Sequence, residues 1–80
     1  MPQLLLYYTP TCSYCHKVFN FMKKNKIDVP KQNRDQSPEI RRQLIQTGGK
    51  PQVPCLVIDG KALYESDDII QWLKDNLLKK

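Results

Sequence analysis

The apolar positions in the first half of the chain change from strand spacing to helix spacing and back. Residues 3–8 form a β-rich run that ends at Thr9–Pro10, which predicts a strand. An apolar stripe at helical spacing follows, made of Cys15, Val18, Phe19 and Met22. The stripe predicts a helix that begins between residues 11 and 13 and ends near residue 25. Residues 27–33 alternate weakly around Pro30, which predicts an edge strand.

The second half of the chain opens with a strong helix start. Ser37 offers a capping hydroxyl, Pro38 suits the first helical turn, and Glu39 places an acid beside the positive end of the helix dipole. Gly48–Gly49 is expected to end this helix, because helices commonly close on a glycine.

A hairpin and a last helix complete the pattern. Residues 53–58 are apolar apart from Pro54, which predicts a buried strand. Asp59–Gly60 is a hairpin signal that returns the chain over residues 61–64. Ser66 is expected to cap the last helix. The inner face of that helix is assigned to Ile69, Trp72, Leu73 and Leu77.

The predicted element order is therefore β-α-β-α-β-β-α, which is an α/β fold with a four-stranded mixed sheet and three helices. The first β-α-β unit implies two parallel strands joined by a right-handed crossover, and the hairpin adds antiparallel strands. A chain of 80 residues has room for one core, so residues 1–80 are expected to form a single domain.

Charge and hydropathy narrow the classes of partner. The net charge of +5 lacks the single basic face or the interleaved aromatics of a nucleic-acid binder, so no nucleic-acid partner is expected. The basic clusters are assigned to solvated helix faces, and they are Lys23, Lys24 and Lys26, then Arg41–Arg42, then Lys79–Lys80. The longest apolar run, residues 4–8, has five residues, whereas a membrane span needs roughly 20, so no membrane partner is expected.

The cysteine count indicates a reducing compartment. Three cysteines are too few, and odd in number, for a small secreted domain held together by disulfides. A secretory signal is not expected either, because the sequence shows neither its basic segment nor its apolar stretch of about 7–15 residues. We therefore expect a cytoplasmic protein whose cysteines are reduced.

The candidate chemistry lies in the sequence Cys12-Ser13-Tyr14-Cys15. Two cysteines at i and i+3 lie on one side of a first helical turn, near the Cα separation of roughly 5.5–6 Å that a disulfide requires. Free N–H groups and the dipole of a helix N-terminus stabilise a thiolate, so Cys12 is expected to be the nucleophile. Cys15, deeper in the helix, is expected to be the resolving thiol. A C-x-x-C pattern between a strand and a helix is typical of a redox pair.

Three other interpretations of these cysteines are less favoured. A structural zinc site needs four ligands, and only His16 and Cys55 remain as candidates beside the pair. His16 is adjacent to Cys15 in the same turn and Cys55 lies on a distant strand, so a zinc site is not completed. Cys12-x-x-Cys15-His16 matches the haem-attachment pattern, but haem domains of that kind are exported and mostly helical. Two plain core cysteines would suit Cys15 but not Cys12, which stands among polar residues at a helix start.

On these motifs the chain resembles a glutaredoxin, a thioredoxin-fold thiol–disulfide oxidoreductase. The resemblance extends over essentially the whole chain. Its specific parts are residues 8–15 (YTPTCSYC), residues 48–54 (GGKPQVP) and Ser66-Asp67-Asp68 before the last helix.

The resemblance implies a glutathione site beside the redox pair. The family proline that matches Pro54 is cis, and the backbone of Val53 pairs with the extended glutathione. The N-terminus of the last helix holds the γ-glutamyl carboxylate, and Asp67 pairs with the free α-amino group. The residues implied to bind glutathione are Tyr14, Val53, Pro54, Glu65, Ser66 and Asp67. Cys55 is expected to be a small core residue, and His16 and Lys17 to be solvated.

Five positions depart from the family pattern. Thr9 replaces a common lysine or arginine, Gln52 a common threonine, and Tyr64-Glu65 the usual Gly-Gly before the last helix. The Glu65-Ser66 pair is similar to the glutathione-binding half of glutathione transferases. Ser13 replaces the commoner proline, and some members with such a motif hold an iron–sulfur cluster. No metal is expected here, with the cluster kept as an alternative.

The sequence therefore predicts a dithiol glutaredoxin that is a monomer. Its expected partners are glutathione, which serves as reductant, and disulfide-containing or glutathionylated proteins. Two alternatives from other classes stay open. One is a redoxin that thioredoxin reductase recycles and that passes electrons to another reductase. The other is a module that binds glutathione or an iron–sulfur cluster without catalysis.

Overall fold

The element order predicted from the sequence is the order found. The structure is a computed structural model that describes residues 3–78, so the Lys79–Lys80 cluster lies outside the described residues. The elements are β1 (Leu4–Tyr8), α1 (Ser13–Lys24), β2 (Lys31–Asn33), α2 (Pro38–Gly48), β3 (Cys55–Ile58), β4 (Lys61–Leu63) and α3 (Ser66–Leu73), followed by a π-helical turn over Lys74–Leu78.

The four strands form one mixed sheet in the order β2-β1-β3-β4. β1 runs parallel to β2, with Leu6 beside Lys31, and antiparallel to β3, with Leu6 beside Leu56. The hairpin between β3 and β4 turns at Asp59 and Gly60, whose φ angles of 50° and 86° suit a two-residue turn of right-handed twist.

Neighbouring residues of the central strands supply two apolar clusters on opposite faces of the sheet. Leu6 and Leu56 belong to the larger cluster, with α1 and α3, which also contains Val18, Met22, Val29, Ile69 and Leu73. Tyr7 and Cys55 belong to the smaller cluster, together with Leu44 of α2. The alternation of a strand therefore gives every helix an apolar face to cover.

The predicted signals at the ends of α2 are confirmed. Ser37 Oγ accepts a hydrogen bond from the Ile40 N–H at 3.4 Å, and Pro38 is the first helical residue. At the other end Gly49 adopts φ 92°, a left-handed conformation, and its N–H donates to the Ile45 carbonyl at 2.6 Å. These ends fix where α2 releases the chain toward β3.

Several predicted boundaries are corrected. β2 begins at Lys31 rather than residue 27, and β3 begins at Cys55 rather than residue 53. In both cases a proline, Pro30 or Pro54, stands directly before the strand, and proline has no N–H for the ladder. The last helix changes to a π-helical turn at Lys74.

The predicted cap of the last helix is wrong. Glu65 occupies the capping position, and its carbonyl accepts from the Ile69 N–H at 2.9 Å without a side-chain cap. Ser66 is the first residue of α3 and is only 8% exposed. Ser66 is therefore buried at the start of α3 and does not cap the helix.

No helix within residues 3–78 is long and apolar enough to cross a bilayer.

Candidate functional site

Cys12 is the capping residue of α1, at the end of a short turn that leaves β1. Its N–H donates to the Thr9 carbonyl at 3.3 Å, and its carbonyl accepts from the His16 N–H at 3.1 Å. The His16 ring returns to the same turn, where Nε2 lies 2.7 Å from the Pro10 carbonyl and donates to it. The turn is thus fixed from both sides, which holds the first cysteine at the helix N-terminus.

The sulfur of Cys12 receives an N–H from its own helix. The Cys15 N–H donates to Cys12 Sγ at 3.2 Å, and Cys12 is partly exposed. On its other side, the Cys12 thiol donates a hydrogen bond to the Val53 carbonyl oxygen at 3.8 Å. The sulfur of Cys12 is thus partly exposed at the start of α1 and lies between a backbone N–H and a backbone carbonyl.

Cys15 has the opposite environment. It is fully buried. Burial first, and then the hydrogen bond with Cys12, raise the pKa of Cys15 to about 12. The Cys15 thiol therefore keeps its proton at neutral pH.

A clamped loop faces Cys12 across the site. The Val53–Pro54 peptide bond is cis, which is the geometry that the resemblance implied. Just before it, the Lys50 carbonyl accepts from the Tyr64 hydroxyl at 2.8 Å, and the Pro51 carbonyl accepts from Arg34 Nη1 at 2.9 Å. Two side chains from different parts of the chain thus fix the loop that presents the Val53 backbone. None of the hydrogen bonds among residues 3–78 uses the Val53 N–H.

A cavity of about 330 Å³ opens between this loop and the start of α3. That volume falls in the range of small-molecule sites, which begins at about 300 Å³. All six residues implied to bind glutathione line it, and so do Gln52 and Tyr64. The lining consists of Tyr14, Gln52, Val53, Pro54, Tyr64, Glu65, Ser66 and Asp67. The structure therefore brings together residues that lie up to 53 positions apart, from Tyr14 to Asp67.

The charged side chains at the start of α3 carry a contact that the sequence did not reveal. Lys17, expected to be solvated, reaches from α1 and forms an ion pair with Asp67 through Nζ and Oδ1. Asp67 was implied to pair with a ligand amino group, and here its partner is a lysine of the chain itself. The ion pair thus joins the two helices that flank the cavity.

Tyr64 is the other residue that sequence reasoning missed. The departure from Gly-Gly marked the position, but its role depends on contacts that no spacing reveals. The Tyr64 hydroxyl reaches the Lys50 carbonyl, and Lys50 Nζ lies 4.7 Å from the centre of the Tyr64 ring. Tyr64 therefore closes one wall of the cavity and holds the loop beside it.

Cys55 is confirmed as a core residue. It is fully buried beside Tyr7 and Leu44, and burial raises the pKa of its thiol to about 11. Within the described part of the chain, no three His, Cys, Asp or Glu side chains come together as a metal site would require.

Comparisons with known proteins agree with this geometry. The family model called Glutaredoxin matches residues 4–63. A glutaredoxin of Pseudomonas aeruginosa is 28% identical over 69 residues, which cover 86% of this chain and 82% of that protein. The crystal structure of a mutant thioredoxin-like protein matches with a TM-score of 0.79 and 24% identity over 100% of both chains. A buckwheat glutaredoxin–glutathione complex matches with a TM-score of 0.72 and 24% identity over 96% of this chain and 73% of that one. The fold is thioredoxin-like.

Proposed function

The chain belongs to the glutaredoxin family, and from this premise we propose that it is a glutathione-dependent thiol–disulfide oxidoreductase with Cys12 as nucleophile and Cys15 as resolving thiol. The family supports the general role in thiol–disulfide exchange. The proposal adds the reductant, the roles of the two cysteines and the residues that bind glutathione.

The cavity beside Cys12 is the observation that carries the proposal. One wall offers the Val53 backbone to an extended peptide, and the opposite wall offers the N-terminus of α3 to a carboxylate. Glutathione has both features, since it is a tripeptide with a free carboxylate at its γ-glutamyl end. The buckwheat glutaredoxin was crystallised as a glutathione complex, which supports the same ligand here.

The proposed reaction begins when the Cys12 thiolate attacks one sulfur of a substrate disulfide. The other substrate sulfur leaves as a thiolate and takes a proton, and a mixed disulfide remains on Cys12. For a protein disulfide, Cys15 gives up its proton and attacks the Cys12 sulfur, which releases the reduced protein and leaves a Cys12–Cys15 disulfide. Two glutathione molecules then reduce this disulfide and leave as glutathione disulfide.

A glutathionylated substrate needs only the first cysteine. Cys12 attacks the glutathione sulfur and releases the protein thiol. A second glutathione then attacks the glutathione held on Cys12 and restores the thiolate, with glutathione disulfide as product. The cavity would hold the bound glutathione through this step, which is why its residues are assigned to the glutathionyl group.

A coupled assay with two reductants tests the proposal. The purified protein is given a glutathionylated peptide and NADPH, either with glutathione and glutathione reductase or with thioredoxin reductase. Turnover with the first system only is the expected result. Turnover with thioredoxin reductase only would replace glutathione by a flavoprotein reductase. Inactivity with both would favour a binding module, and a visible absorption band with bound iron would identify the iron–sulfur alternative.

Setting and assembly form part of the same proposal. A small chain with an odd count of three cysteines suits a reducing compartment, and we propose that the protein works in the cytoplasm as a monomer. Its further partners would be proteins that carry disulfides or glutathionylated cysteines.

A further inference from the structure

One ion pair joins the two helices that flank the cavity. Lys17 lies in the second turn of α1, and Asp67 lies in the first turn of α3. Their side chains are 51% and 79% exposed, so the pair forms at the mouth of the cavity and in contact with solvent. Asp67 also lines the cavity, whereas its partner stands outside the lining.

The pair changes what the cavity offers to a ligand. Under the proposed function, the γ-glutamyl end of glutathione brings a carboxylate and an ammonium to the start of α3. The carboxylate meets backbone N–H groups, which Lys17 does not occupy. The ammonium would meet the Asp67 carboxylate, whose single negative charge is already balanced by Lys17. A second ammonium at this place is attracted by Asp67 but repelled by Lys17, so its net electrostatic gain is smaller.

We propose that Lys17 is a specificity-determining residue, because its hold on Asp67 removes the advantage that an α-amino group would give a substrate. The proposal rests on the proposed function. Its consequence is a substrate class: thiols that carry a carboxylate at the recognised end, with or without an adjacent amino group. Glutathione belongs to this class, and so does its analogue in which hydrogen replaces the α-amino group.

Glu65 is the other carboxylate that lines the cavity. If the α-ammonium of glutathione paired with Glu65 instead of Asp67, glutathione would react faster than its analogue whether or not Lys17 was present. The two carboxylates therefore make opposite predictions for the unchanged protein, and the experiment separates them.

The experiment compares two mixed disulfides of one peptide. One carries glutathione and the other the analogue without the α-amino group. The reduced protein reacts with each under single-turnover conditions, and release of the peptide thiol gives a second-order rate constant. No reductase is needed, so its own substrate preference does not enter. The variants are Lys17→Met, Lys17→Met with Asp67→Asn, and Lys24→Met, which removes one exposed charge from the last turn of α1, about 10 Å along the helix axis.

The expected result is a pattern across the variants. The unchanged protein and Lys24→Met react with the two disulfides at rates within twofold of each other. Lys17→Met prefers glutathione by roughly twofold to fivefold, the range that exposed ion pairs give. Adding Asp67→Asn abolishes that preference.

Other results overturn the inference in distinct ways. A strong preference for glutathione in the unchanged protein would show that Lys17 does not neutralise the site. Equal rates in Lys17→Met, or a preference that survives Asp67→Asn, would show that Lys17 does not act through Asp67. Reaction with neither disulfide above the level of Cys12→Ser would instead refute the proposed function, and the inference with it.

Discussion

The hydroxyl end of Tyr64 lies against the backbone of Gly48, in space that a side chain on Gly48 would fill. A Cβ built on Gly48 would stand 2.6 Å from Tyr64 Cζ and 2.8 Å from the Ala62 Cβ, both closer than real Cβ atoms approach. Gly48, the last residue of α2, thus leaves a slot that the hydroxyl end of Tyr64 fills. Through this slot, the packing of α2 on β4 sets the position of a residue in the cavity wall.

Gly48→Ala is expected to lower the free energy of unfolding by about 1–3 kcal/mol, because the added methyl overpacks the slot. Urea unfolding measures the change. Thr47→Ala, at the exposed neighbouring position, is the matched control and should lie near the unchanged protein. Combining Gly48→Ala with Tyr64→Ala should cost less than the sum of the two single changes. Strict additivity would refute the slot.

Tyr64→Phe keeps the ring in the slot and removes the hydroxyl that donates to the Lys50 carbonyl. We expect stability to fall by about 0.5–1.5 kcal/mol, the value of one hydrogen bond. The looser loop should also raise KM for a glutathionylated peptide several-fold and leave kcat nearly unchanged. Tyr8→Phe is the control, since the Tyr8 hydroxyl makes no hydrogen bond within residues 3–78. Equal effects of both changes on KM would argue against a positioning role.

The two cysteines of the pair should differ sharply when each is replaced. Cys12→Ser removes the exposed nucleophile and should reduce turnover of every substrate to the background rate. Cys15→Ser should retain turnover of glutathionylated peptide, because glutathione itself resolves that intermediate, but should lose turnover of a protein disulfide. Both activities are followed by NADPH consumption with glutathione reductase. Equal loss on the glutathionylated peptide would mean that the roles are misassigned.

Alkaline pH should destabilise the reduced protein through its buried thiols. Burial raises the pKa of Cys15 from 9.0 to about 12, so between these values the folded chain keeps a proton that the unfolded chain has lost. Stability is therefore complete below about pH 9 and decreases as the pH rises, by at most about 1.4 kcal/mol per pH unit for each such thiol. Urea unfolding under reductant at pH 8 and pH 10 measures the slope.

Replacing each buried cysteine by alanine in turn is the control for this dependence of stability on pH. Cys15→Ala should make the pH dependence shallower, and Cys55→Ala should do the same, because burial also raises the pKa of Cys55 to about 11. Slopes identical to that of the unchanged protein would show that neither thiol is responsible.

Local signals carried most of the fold. The cap at Ser37 and the turn at Asp59–Gly60 lie where the sequence predicted, because each depends on a few neighbouring residues. The prediction that Ser66 caps α3 is wrong, because it depends on tertiary packing that the neighbouring sequence does not show. The serine is buried by packing at the start of α3, so the capping position moved to Glu65.

The candidate site shows the same division. Cys12 and Cys15 were singled out by their spacing together with their place between a strand and a helix, and the six implied glutathione residues all line one cavity. The pairing of Lys17 with Asp67 joins residues 50 positions apart. The slot at Gly48 depends on the distance between a helix end and a strand end. Neither is visible in a linear pattern, because both arise only when α1, α2 and α3 are placed around the sheet.

The alternation of β3 also decides which disulfides the folded chain can form. Cys55 follows Pro54 directly, yet it lies in the cluster covered by α2, while Cys15 belongs to α1 on the other face. Because the sheet separates Cys55 from Cys15, we expect oxidation of the folded chain to join Cys12 to Cys15 and to leave the Cys55 thiol reduced. Since Cys55 is fully buried, its thiol should react with alkylating reagents only after denaturation, so it can serve as an internal reference when the other two thiols are counted.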